Sequence, residues 1–585
     1  MNNDNSTPSP TNFIRNIIEK NLAADLYQQK KWAGTPGPEK IHAQAPTDNA
    51  RIRTRFPPEP NGYLHFGHAK SIILNFNLAQ DYQGRCHLRF DDTNPEKESE
   101  EYVNSIIDSV RWLGYEFQDD KENNLYYASD YFDYMYEAAV VLIKADLAYV
   151  DKQTPEEIRI NRGTLTEPGK DSPFRSQSVE DNLTLFEQMK EGKYADGEMV
   201  LRAKINMASP NINLRDPAIY RIRHVTHHNS GDKWCIYPMY TFAHPIEDAL
   251  EKITHSICTL EFEDQRPFYE WVLKKLADYG FLSKPLPKQH EFSRLNLTHV
   301  VLSKRKLIQL VEEGHVSGWD DPRMPTLVGA KRRGYLPQGF KLFMDRIGVS
   351  KADSVIDYQV FEDAMREVLN NECDRRIAVL NPLKLVINNF PDAHVELCEV
   401  PNHPQKTERG SREIKLTKEL WIEKEDFEVT PPAKFFRLFP GNQVRLRYGF
   451  VIECTGYETD DQGNVMTVFC DYLPDTKSGT PGSDAIKVKG NIHWISAQFS
   501  TPIQIRNYDR LFNSENPNEA ENFLDDINQH SIQISEAICE EHIAQAITGD
   551  QFQFERHGYY IVDPDSNPEN IIFNRTATLR DVWQK

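Results

Sequence analysis

A repeated alternation of strands and helices near residue 50 is the feature that most constrains the fold of this chain. Residues 50–56 alternate like a strand, and a proline-rich loop leads to a run with apolar residues at helical spacing, residues 69–82. A second short strand, residues 85–90, ends in an acidic turn that a second helix follows. This order is typical of a parallel nucleotide-binding sheet. We therefore predict a Rossmann-type α/β domain.

The sequence pattern changes several times along the rest of the chain, and the full length of 585 residues suggests about four domains. The predicted fold class is a multidomain α/β plus β protein, with a split parallel-sheet domain, an insertion, a helical connecting domain and C-terminal β-barrels. The predicted domains are an N-terminal helix and linker (1–50), the split α/β domain (51–125 and 236–300), the insertion (126–235), the connecting helices (301–371) and two barrels (372–585).

Composition excludes several classes of protein. A formal charge of −20 argues against a general nucleic-acid coat protein, although local phosphate contacts remain possible. Eight scattered cysteines without a C-x-x-C pair argue against a zinc ribbon and a disulfide framework. A polar N-terminus and an apolar run interrupted by Lys144 predict a cytoplasmic protein without a membrane span.

Three histidines lie close together at His224, His227 and His228, but their spacing matches no metal-ligand pattern. We interpret them as part of a solvated polar loop and predict no metal site.

Two histidines flank a glycine at the start of the first predicted helix, in the sequence His65-Phe66-Gly67-His68. A helix start offers unpaired N–H groups and a positive dipole end, and glycine lets a phosphate approach the backbone. With 18 His and 28 Gly in the chain, this pattern is expected about 0.03 times by chance. We predict that both histidines donate hydrogen bonds to phosphate oxygens. In the alternative, one histidine caps the helix and the other is incidental.

Two further basic features are weaker in isolation. Lys304 follows a small hydroxyl residue in "VLSKRKL", where a lysine on a mobile loop could clamp a polyphosphate. In "VRLRYGF" the alternation places Arg445 and Arg447 together on one strand face, where they suit phosphate or base edges, or solvent.

Together, the two phosphate motifs resemble the signature motifs of class I aminoacyl-tRNA synthetases. Further colinear segments are similar to the glutaminyl-tRNA synthetase family from about residue 50 to the C-terminus. Two residues depart from the family pattern, Phe66 where it usually has Ile and Leu302 where it usually has Met, and both changes are apolar for apolar. The segments are "TRFPPEPNGYLHFGHAKS", "LRFDDTNPEKE", "KWCIYPMYTF", "ITHSICTLEFEDQR", "EFSRLNL", "LSKRKL", "GWDDPRMPT", "PNHP" and "YDRLF".

The resemblance implies a reaction that uses ATP with Mg²⁺. The substrate carboxylate attacks the α-phosphate, and positioned donors rather than a side-chain nucleophile supply catalysis. His65, His68 and Lys304 are the implied catalytic residues. The implied ATP-binding residues are Glu59, Pro60, Asn61, His65, Phe66, Gly67, His68, Ala69, Lys70, Ser71, Thr259, Arg294, Leu295, Leu302, Ser303 and Lys304.

The resemblance also implies an amino-acid pocket formed by Asp91, Arg55, Tyr240, Cys258 and Gln289. Asp91 would pair with the substrate ammonium group and Tyr240 with the side-chain amide. Without the resemblance, Asp91, Arg55 and Tyr240 read as an exposed turn carboxylate, a surface ion pair and a core tyrosine. Related glutamyl enzymes tend to carry Arg where this chain has Cys258, so a neutral thiol favours glutamine over glutamate.

The implied RNA contacts extend over the other domains. The insertion resembles a domain that binds the tRNA acceptor end, and the β-region should read unstacked anticodon bases. The implied tRNA-binding residues are Asp264, Lys351, Arg375, Arg437, Arg447, Gln553 and Arg556.

The resemblance therefore implies a monomer that joins L-glutamine to tRNA(Gln) with ATP. Three alternatives remain: a glutamyl-tRNA synthetase of the same subclass, a small-molecule adenylyltransferase, and an inactive tRNA-binding regulator.

Overall fold

The computed structural model describes residues 11–96, 99–119 and 122–580, and the chain divides into two compact units. The first unit comprises Met1–Asn296 and Met344–Ile356, and the second comprises Leu297–Phe343 and Asp357–Lys585. Within the described ranges, every helix is too short or too polar to cross a membrane.

Thirteen α-helices are assigned in the described residues. They are α1 (Phe13–Ala23), α2 (Glu39–His42), α3 (Phe66–Asp81), α4 (Glu100–Trp112), α5 (Phe132–Lys144), α6 (Pro155–Asn161), α7 (Val179–Lys190), α8 (Tyr240–Leu250), α9 (Arg266–Asp278), α10 (Lys304–Glu312), α11 (Leu327–Arg333), α12 (Pro337–Ile347) and α13 (Tyr358–Glu372).

The described strands of the first unit are β1 (Arg53–Phe56), β2 (Arg85–Phe90), β3 (Leu125–Tyr127), β4 (Ala148–Asp151), β5 (Val200–Ala203), β6 (Ala218–Ile222), β7 (Ile236–Pro238), β8 (His255–Thr259) and β9 (Lys288–Phe292). Two short strands follow, β10 (Asn296–Leu297) and β11 (Val355–Ile356).

The described strands of the second unit are β12 (Asp374–Arg376), β13 (Ala378–Val379), β14 (Pro382–Ile387), β15 (Glu396–Pro401), β16 (Ser411–Leu416), β17 (Glu419–Glu423), β18 (Gln443–Leu446), β19 (Val451–Thr459), β20 (Val465–Leu473), β21 (Gly490–Ile492), β22 (Ile495–Ser496), β23 (Ser500–Tyr508), β24 (Ile532–Glu540), β25 (Gln551–Phe554), β26 (Gly558–Val562) and β27 (Ile571–Thr578).

The first unit contains the predicted parallel sheet. Strands β1, β2 and β3 pair in parallel, and β8 pairs in parallel with β9. Thr254, just before β8, exchanges hydrogen bonds of 2.9 and 3.0 Å with Arg53 of β1. Strands β4 to β7 form a four-stranded antiparallel sheet, of which β4 to β6 lie within the predicted insertion and β7 lies at the start of the following α/β segment. The predicted α/β fold class is therefore confirmed, and α3 begins at Phe66, earlier than the sequence indicated.

The N-terminal stretch contains the predicted helix as α1, and several of the proline-, glycine- and alanine-rich residues after it, which were predicted to form a linker, are buried. Ile14, Ile18 and Tyr27 are buried against residues of α3, β8 and β9. The following stretch carries the short helix α2, and its Trp32 and His42 are also buried. Apolar and ring contacts hold this stretch on the unit, and local composition cannot reveal such long-range contacts.

The second unit contains two seven-stranded sheets, as the predicted β-region requires. One has the strand order β12-β25-β26-β27-β23-β24-β13, and the other has the order β21-β18-β19-β20-β14-β17-β22. Each sheet encloses its own cluster of buried apolar side chains, which indicates two curled, barrel-like layers.

The prediction that Arg445 and Arg447 lie together on one exposed strand face is wrong. Strand β18 ends at Leu446, and Tyr448 adopts a left-handed backbone with φ of 65°. Arg445 donates to the carbonyls of Thr476 and Ser483, both at 2.6 Å, whereas Arg447 pairs with Glu555 at 2.8 Å. The strand ends before the alternation does, so the two guanidinium groups face different partners.

Candidate functional site

Both histidines of the His65-Phe66-Gly67-His68 motif cap helix α3. The Gly67 N–H donates to Nδ1 of His65, and the His65 N–H donates to Nδ1 of His68, each at 3.0 Å. A ring nitrogen that accepts a hydrogen bond carries no proton, so each neutral ring keeps its proton on Nε2. The helix cap therefore fixes the protonation of both rings, so that each offers its Nε2–H group as a donor.

Burial and the neighbouring His68 ring lower the pKa of His65 well below its usual value, so His65 is neutral near pH 7. The two ring centroids are 3.9 Å apart. The expected unpaired N–H groups are absent at Gly67 and at His68, whose N–H donates to the His65 carbonyl at 2.9 Å. An anion here would meet the Nε2–H donors and the helix dipole.

Lys70 joins this helix to the segment after β9. Its ammonium group is buried and donates to the Ser293 carbonyl at 2.7 Å, beside the predicted residues Arg294 and Leu295. Burial lowers the pKa of Lys70 to about 8. Lys70 therefore brings two predicted ATP segments of the first unit together, and its own ammonium group is held inside.

The remaining predicted ATP residues of the first unit lie at strand and helix ends. Asn61 hydrogen-bonds Glu59 in the loop after β1, and the Thr259 hydroxyl at the end of β8 donates to Glu261 at 2.6 Å. Phe66 is buried, as expected for a residue that only packs. The other members of this set are Pro60, Ala69 and Ser71.

Leu302, Ser303 and Lys304 belong to the second compact unit. Ser303 precedes α10, and Lys304 is exposed at the first position of that helix. The apolar face of α10 packs through Leu307 and Leu310 into a buried cluster of the same unit. Lys304 therefore carries its charge at the protein surface, at the start of α10.

Asp91 directly follows β2 and is buried rather than exposed. Its N–H donates to the Pro58 carbonyl at 3.0 Å, while its Oδ1 atom is buried without a hydrogen-bond partner. Burial, reinforced by the charge of Glu59, raises the pKa of Asp91 to about 7. A buried carboxylate oxygen without a partner is a costly feature that a cationic ligand would satisfy.

This pKa predicts a pH dependence. Below about pH 7 Asp91 is protonated and cannot pair with an ammonium group. We therefore expect kcat/KM for the amino acid to fall about tenfold per unit as pH decreases below 7, since kcat/KM reports the free enzyme. Glu59→Gln, assayed at saturating ATP, should move this limb to lower pH. A flat profile between pH 6 and 8 would contradict the assignment.

Tyr240 and Cys258 lie with Asp91 and Arg55 in one electrostatic neighbourhood. Asp91, Arg55 and Cys258 are all close enough to affect the pKa of the Tyr240 hydroxyl, which burial raises well above its usual value. Burial also raises the pKa of the Cys258 thiol to about 12, so the thiol is neutral. Gln289 of β9 donates to the Phe262 carbonyl at 3.0 Å. The structure thus groups four of the five predicted pocket residues.

Arg55 forms a fully buried ion pair with Asp248, whereas the residue type alone suggested an ion pair at the surface. Its guanidinium donates to Asp248 at 3.1 Å, to the Ile257 carbonyl at 2.7 Å and to Ser256 at 2.8 Å, and it contacts His244 at 2.5 Å. These contacts use four of its five N–H groups. At most one remains for a ligand.

Sequence patterns missed the carboxylates in α8 and at its C-cap, one of which pairs with Arg55 and all of which contact Arg89. Arg89 of β2 contacts Glu247 at 2.9 Å, Asp248 at 2.9 Å and Glu251 at 3.2 Å, and all four side chains are buried. Burial, together with the charge of Asp91, raises the pKa of Glu247 well above its usual value. The carboxylates at i, i+1 and i+4 of one helix were the available signal.

The predicted anticodon residues meet acidic partners in the second unit. Arg437 and Arg556 both pair with Asp426, at 3.1 and 2.6 Å, and Arg447 pairs with Glu555. Gln553 donates to the Tyr559 hydroxyl at 3.3 Å. Asp426 thus brings together arginines that are far apart in sequence.

Three other residues from the predicted RNA set have internal contacts. Arg375 is buried and donates to the Asn370 carbonyl at 2.9 Å. Asp264 is exposed, and its carbonyl accepts from Asn211 of the insertion at 2.9 Å. Lys351 is half exposed and lies 3.5 Å from Glu291.

The histidine-rich loop is not simply solvated. His227 is buried, its Nε2 donates to the Asp92 carbonyl at 2.6 Å, and its Nδ1 accepts from Asn229 and Ser230. Asp92, His227 and His228 lie close enough to hold a metal ion, but both ring nitrogens of His227 are already engaged.

A second cluster of this kind was missed in the sequence, because its members are far apart in the chain. Glu423, His493 and His557 form it, with Glu423 2.8 Å from His557 and 3.3 Å from His493.

Three family models match the chain. Residues 51–371 match the catalytic domain of tRNA synthetases class I (E and Q), and residues 373–473 and 491–563 match anti-codon binding domains of the same synthetases. The matched ranges include both histidines of the motif, all five pocket residues and Lys304.

Curated relatives match along the whole chain. A glutamine–tRNA ligase of Bordetella bronchiseptica is 59% identical over 99% of this chain and 98% of that protein, and one of Cupriavidus necator is 57% identical over 100% of both. Among solved structures, a glutamate tRNA ligase of Elizabethkingia meningosepticum in complex with its amino acid matches with a TM-score of 0.40 and 19% identity, over 55% of this chain and 70% of that one. So distant a structural likeness adds nothing to the sequence relatives.

Proposed function

The chain belongs to the class I tRNA synthetases for glutamate and glutamine, and from this premise we propose that it attaches L-glutamine to tRNA(Gln) with ATP. The glutamine carboxylate attacks the α-phosphate of ATP, and pyrophosphate leaves. The terminal ribose of the tRNA then attacks the aminoacyl carbonyl of the adenylate, and AMP leaves. The products are glutaminyl-tRNA, AMP and pyrophosphate.

The observation that carries this proposal is a pocket that combines a buried carboxylate, one oxygen of which has no hydrogen-bond partner, with a neutral thiol. The Asp91 oxygen without a partner suits the substrate ammonium group. The neutral Cys258 thiol and the internally paired Arg55 offer little to a γ-carboxylate, whose unpaired burial would cost several kcal/mol. Glutamine, which is nearly isosteric with glutamate but uncharged, fits this environment better.

Activation requires donors where negative charge develops. We assign the Nε2–H groups of His65 and His68 to phosphate oxygens, because the helix cap fixes the proton on that nitrogen. Lys304 is assigned as a further positive charge for the phosphates. Tyr240, at the start of α8, is assigned to the side-chain amide of glutamine.

ATP supplies the leaving group, and Mg²⁺ neutralises part of its phosphate charge when bound. Among the sixteen proposed ATP residues, Glu59 is the one carboxylate, and it hydrogen-bonds Asn61. Mg²⁺ sites commonly use one or two carboxylates together with substrate phosphates. This set of residues therefore fits an ion held chiefly by ATP, with Glu59 as the candidate protein ligand within the set.

We assign the insertion to the acceptor end of the tRNA and the two C-terminal sheets to its anticodon loop. The arginines at Asp426 and Glu555 support the second assignment, because guanidinium planes suit unstacked bases. In this role the RNA competes with the two carboxylates for the same guanidinium groups. We further propose a monomer that works in the cytoplasm, where protein synthesis uses its product.

The decisive experiment measures aminoacylation and ATP–pyrophosphate exchange with glutamine and with glutamate, in the presence and absence of tRNA(Gln). We expect charging with glutamine to exceed charging with glutamate by about 10⁴-fold in kcat/KM, as for sites that read a polar group. A preference for glutamate would identify a glutamyl-tRNA synthetase. Adenylate transfer to a small molecule, or tRNA binding without exchange, would support the other two alternatives.

A further inference from the structure

The stretch between α1 and β1 lies outside the matched catalytic domain, which begins at residue 51, and nothing above gives it a role. It nevertheless buries two charged side chains. Lys30 and Asp48 are 4% and 6% exposed, and they form an ion pair of 2.6 Å with each other. Surface packing alone does not require buried charges, which are costly unless they are paired.

Asp48 also pairs with an arginine of the catalytic sheet. Arg53 of β1 donates to the two carboxylate oxygens of Asp48 through Nε at 2.8 Å and Nη2 at 3.0 Å. The Trp32 ring lies 4.4 Å from the Arg53 guanidinium and covers it. Burial would raise the pKa of Asp48, but the hydrogen bonds and charges of Arg53 and Lys30 outweigh it and hold this pKa at about 2, so Asp48 is ionised. The stretch between α1 and β1 thus fixes the orientation of Arg53.

From Arg53, an unbroken series of polar contacts runs to the pocket. Arg53 Nη1 lies 3.1 Å from His87 Nε2, and His87 Nδ1 lies 2.8 Å from Glu251. Glu251 pairs with Arg89 at 3.2 Å, and Arg89 pairs with Asp248 at 2.9 Å. Asp248 in turn holds Arg55 in the pocket at 3.1 Å. We call this series the buried charge chain, and its members are Asp48, Arg53, His87, Glu251, Arg89, Asp248 and Arg55.

Each member is buried, so a change at one end cannot be screened by water. Loss of the Asp48 charge would leave Arg53 with Glu122 as its remaining carboxylate partner, at the rim of the sheet. Arg53 and Arg55 are two residues apart on β1 and face the same side of the strand. A shift of Arg53 toward Glu122 would therefore disturb His87, the α8 carboxylates and the pocket.

We propose that residues 27–50 are a positioning element of the amino-acid pocket, and that Asp48 acts on glutamine binding through the buried charge chain. This inference rests on the proposed function, because it takes Asp91 and Arg55 as parts of the glutamine pocket. Asp48 is a positioning residue, since among the described residues its polar contacts are with Lys30, Arg53 and the nearby backbone.

The test compares substitutions on the two sides of Asp48 in the full-length protein. Asp48→Asn keeps the size and removes the charge, which cuts the buried charge chain at its end. We expect KM for glutamine to rise about 10- to 100-fold, because small displacements in a pocket have effects of this size. KM for ATP and for tRNA should change less than about twofold. Asp48→Glu should restore part of the glutamine affinity.

Lys30→Met is the matched control, because it also removes a buried partner of Asp48 but leaves the Asp48–Arg53 pair intact. It should lower the melting temperature without raising KM for glutamine more than about threefold. Lys40→Ala, which breaks only an exposed pair with Glu137, should leave both quantities unchanged. If Asp48→Asn does not fold, Trp32→Leu removes the cover of Arg53 and should raise KM for glutamine in the same selective way.

Equal effects of Asp48→Asn and Lys30→Met on KM would overturn the proposal and leave a stabilising role only. Asp91→Asn, measured in parallel, separates this failure from failure of the proposed function. If Asp91→Asn does not weaken glutamine binding, the pocket itself is wrongly assigned. If it does weaken binding and Asp48→Asn does not, only the role of the buried charge chain is wrong.

Discussion

Replacing His68 with alanine is expected to lower the rate of ATP–pyrophosphate exchange by about 10²–10³-fold, the usual effect of removing one preorganised donor. The reason is the hydrogen bond from the His65 N–H to Nδ1 of His68, which keeps the His68 proton on Nε2. The dissociation constant for tRNA should change less than about twofold. Exchange rates and tRNA binding measured on the same protein check this expectation.

Two other substitutions separate the donor role of His68 from its role in the helix cap. In His68→Asn, the amide oxygen can still accept the His65 N–H, but the donor at the Nε2 position is lost. In His68→Gln, the amide N–H reaches about as far as Nε2, but the cap acceptor is lost. We expect His68→Gln to retain more exchange activity than His68→Asn. The opposite order, with a lower melting temperature for His68→Gln, would show that the motif is structural.

The sequence was sufficient to predict the parts of the fold that depend on local patterns. The alternation up to Phe90 and the acidic turn after it predicted β2 and the position of Asp91. The short alternating runs after residue 372 predicted the two C-terminal sheets. Apolar periodicity and turn residues act over a few positions, so one chain contains this information.

Features that depend on distant charges could not be predicted. Arg55 of β1 reads from the sequence as part of a surface ion pair, but Arg55 and Arg89 of β2 are buried against distant carboxylates in and just after α8, and Arg55 and Asp248 are 193 positions apart. A different reason hid the ion pair between Asp48 and Arg53, which are only 5 positions apart, because the proline and glycine content before β1 suggested a linker. The alternating pattern also predicted a strand that continues to Phe450, but β18 ends at Leu446 and the backbone turns at Tyr448.

The candidate site shows the same division. The residue types of the motif and the pocket could be selected from the sequence, but their protonation could not. The Nε2 tautomers arise from backbone groups that only the folded helix start supplies. The pKa of about 7 for Asp91 arises from burial and from Glu59, and it turns a presumed anion into a group that titrates near neutral pH.

Replacing Cys258 with arginine is expected to lower kcat/KM for glutamine by at least about 10²-fold. The thiol is 8% exposed and close enough to Arg55 for each to affect the pKa of the other. A second guanidinium there would be a buried charge whose neighbouring buried carboxylates, Glu291 and Asp248, already pair with other arginines, at a cost of about 3–5 kcal/mol. The γ-carboxylate of glutamate would supply a counter-ion. We therefore expect the ratio of kcat/KM for glutamine to that for glutamate to fall by about 10³-fold or more.

Neutral substitutions provide the control for this change of selectivity. Cys258→Ser and Cys258→Ala keep an uncharged side chain of similar size, so both should preserve the preference for glutamine within about tenfold. Steady-state aminoacylation with each amino acid, together with the melting temperature of each variant, gives the comparison. Loss of selectivity in Cys258→Ala would mean that the thiol itself reads the substrate. An unchanged ratio in Cys258→Arg would mean that the charge at this position does not decide between the two amino acids, and the discrimination would then have to come from the carboxylates of α8 that surround Arg55 and Arg89.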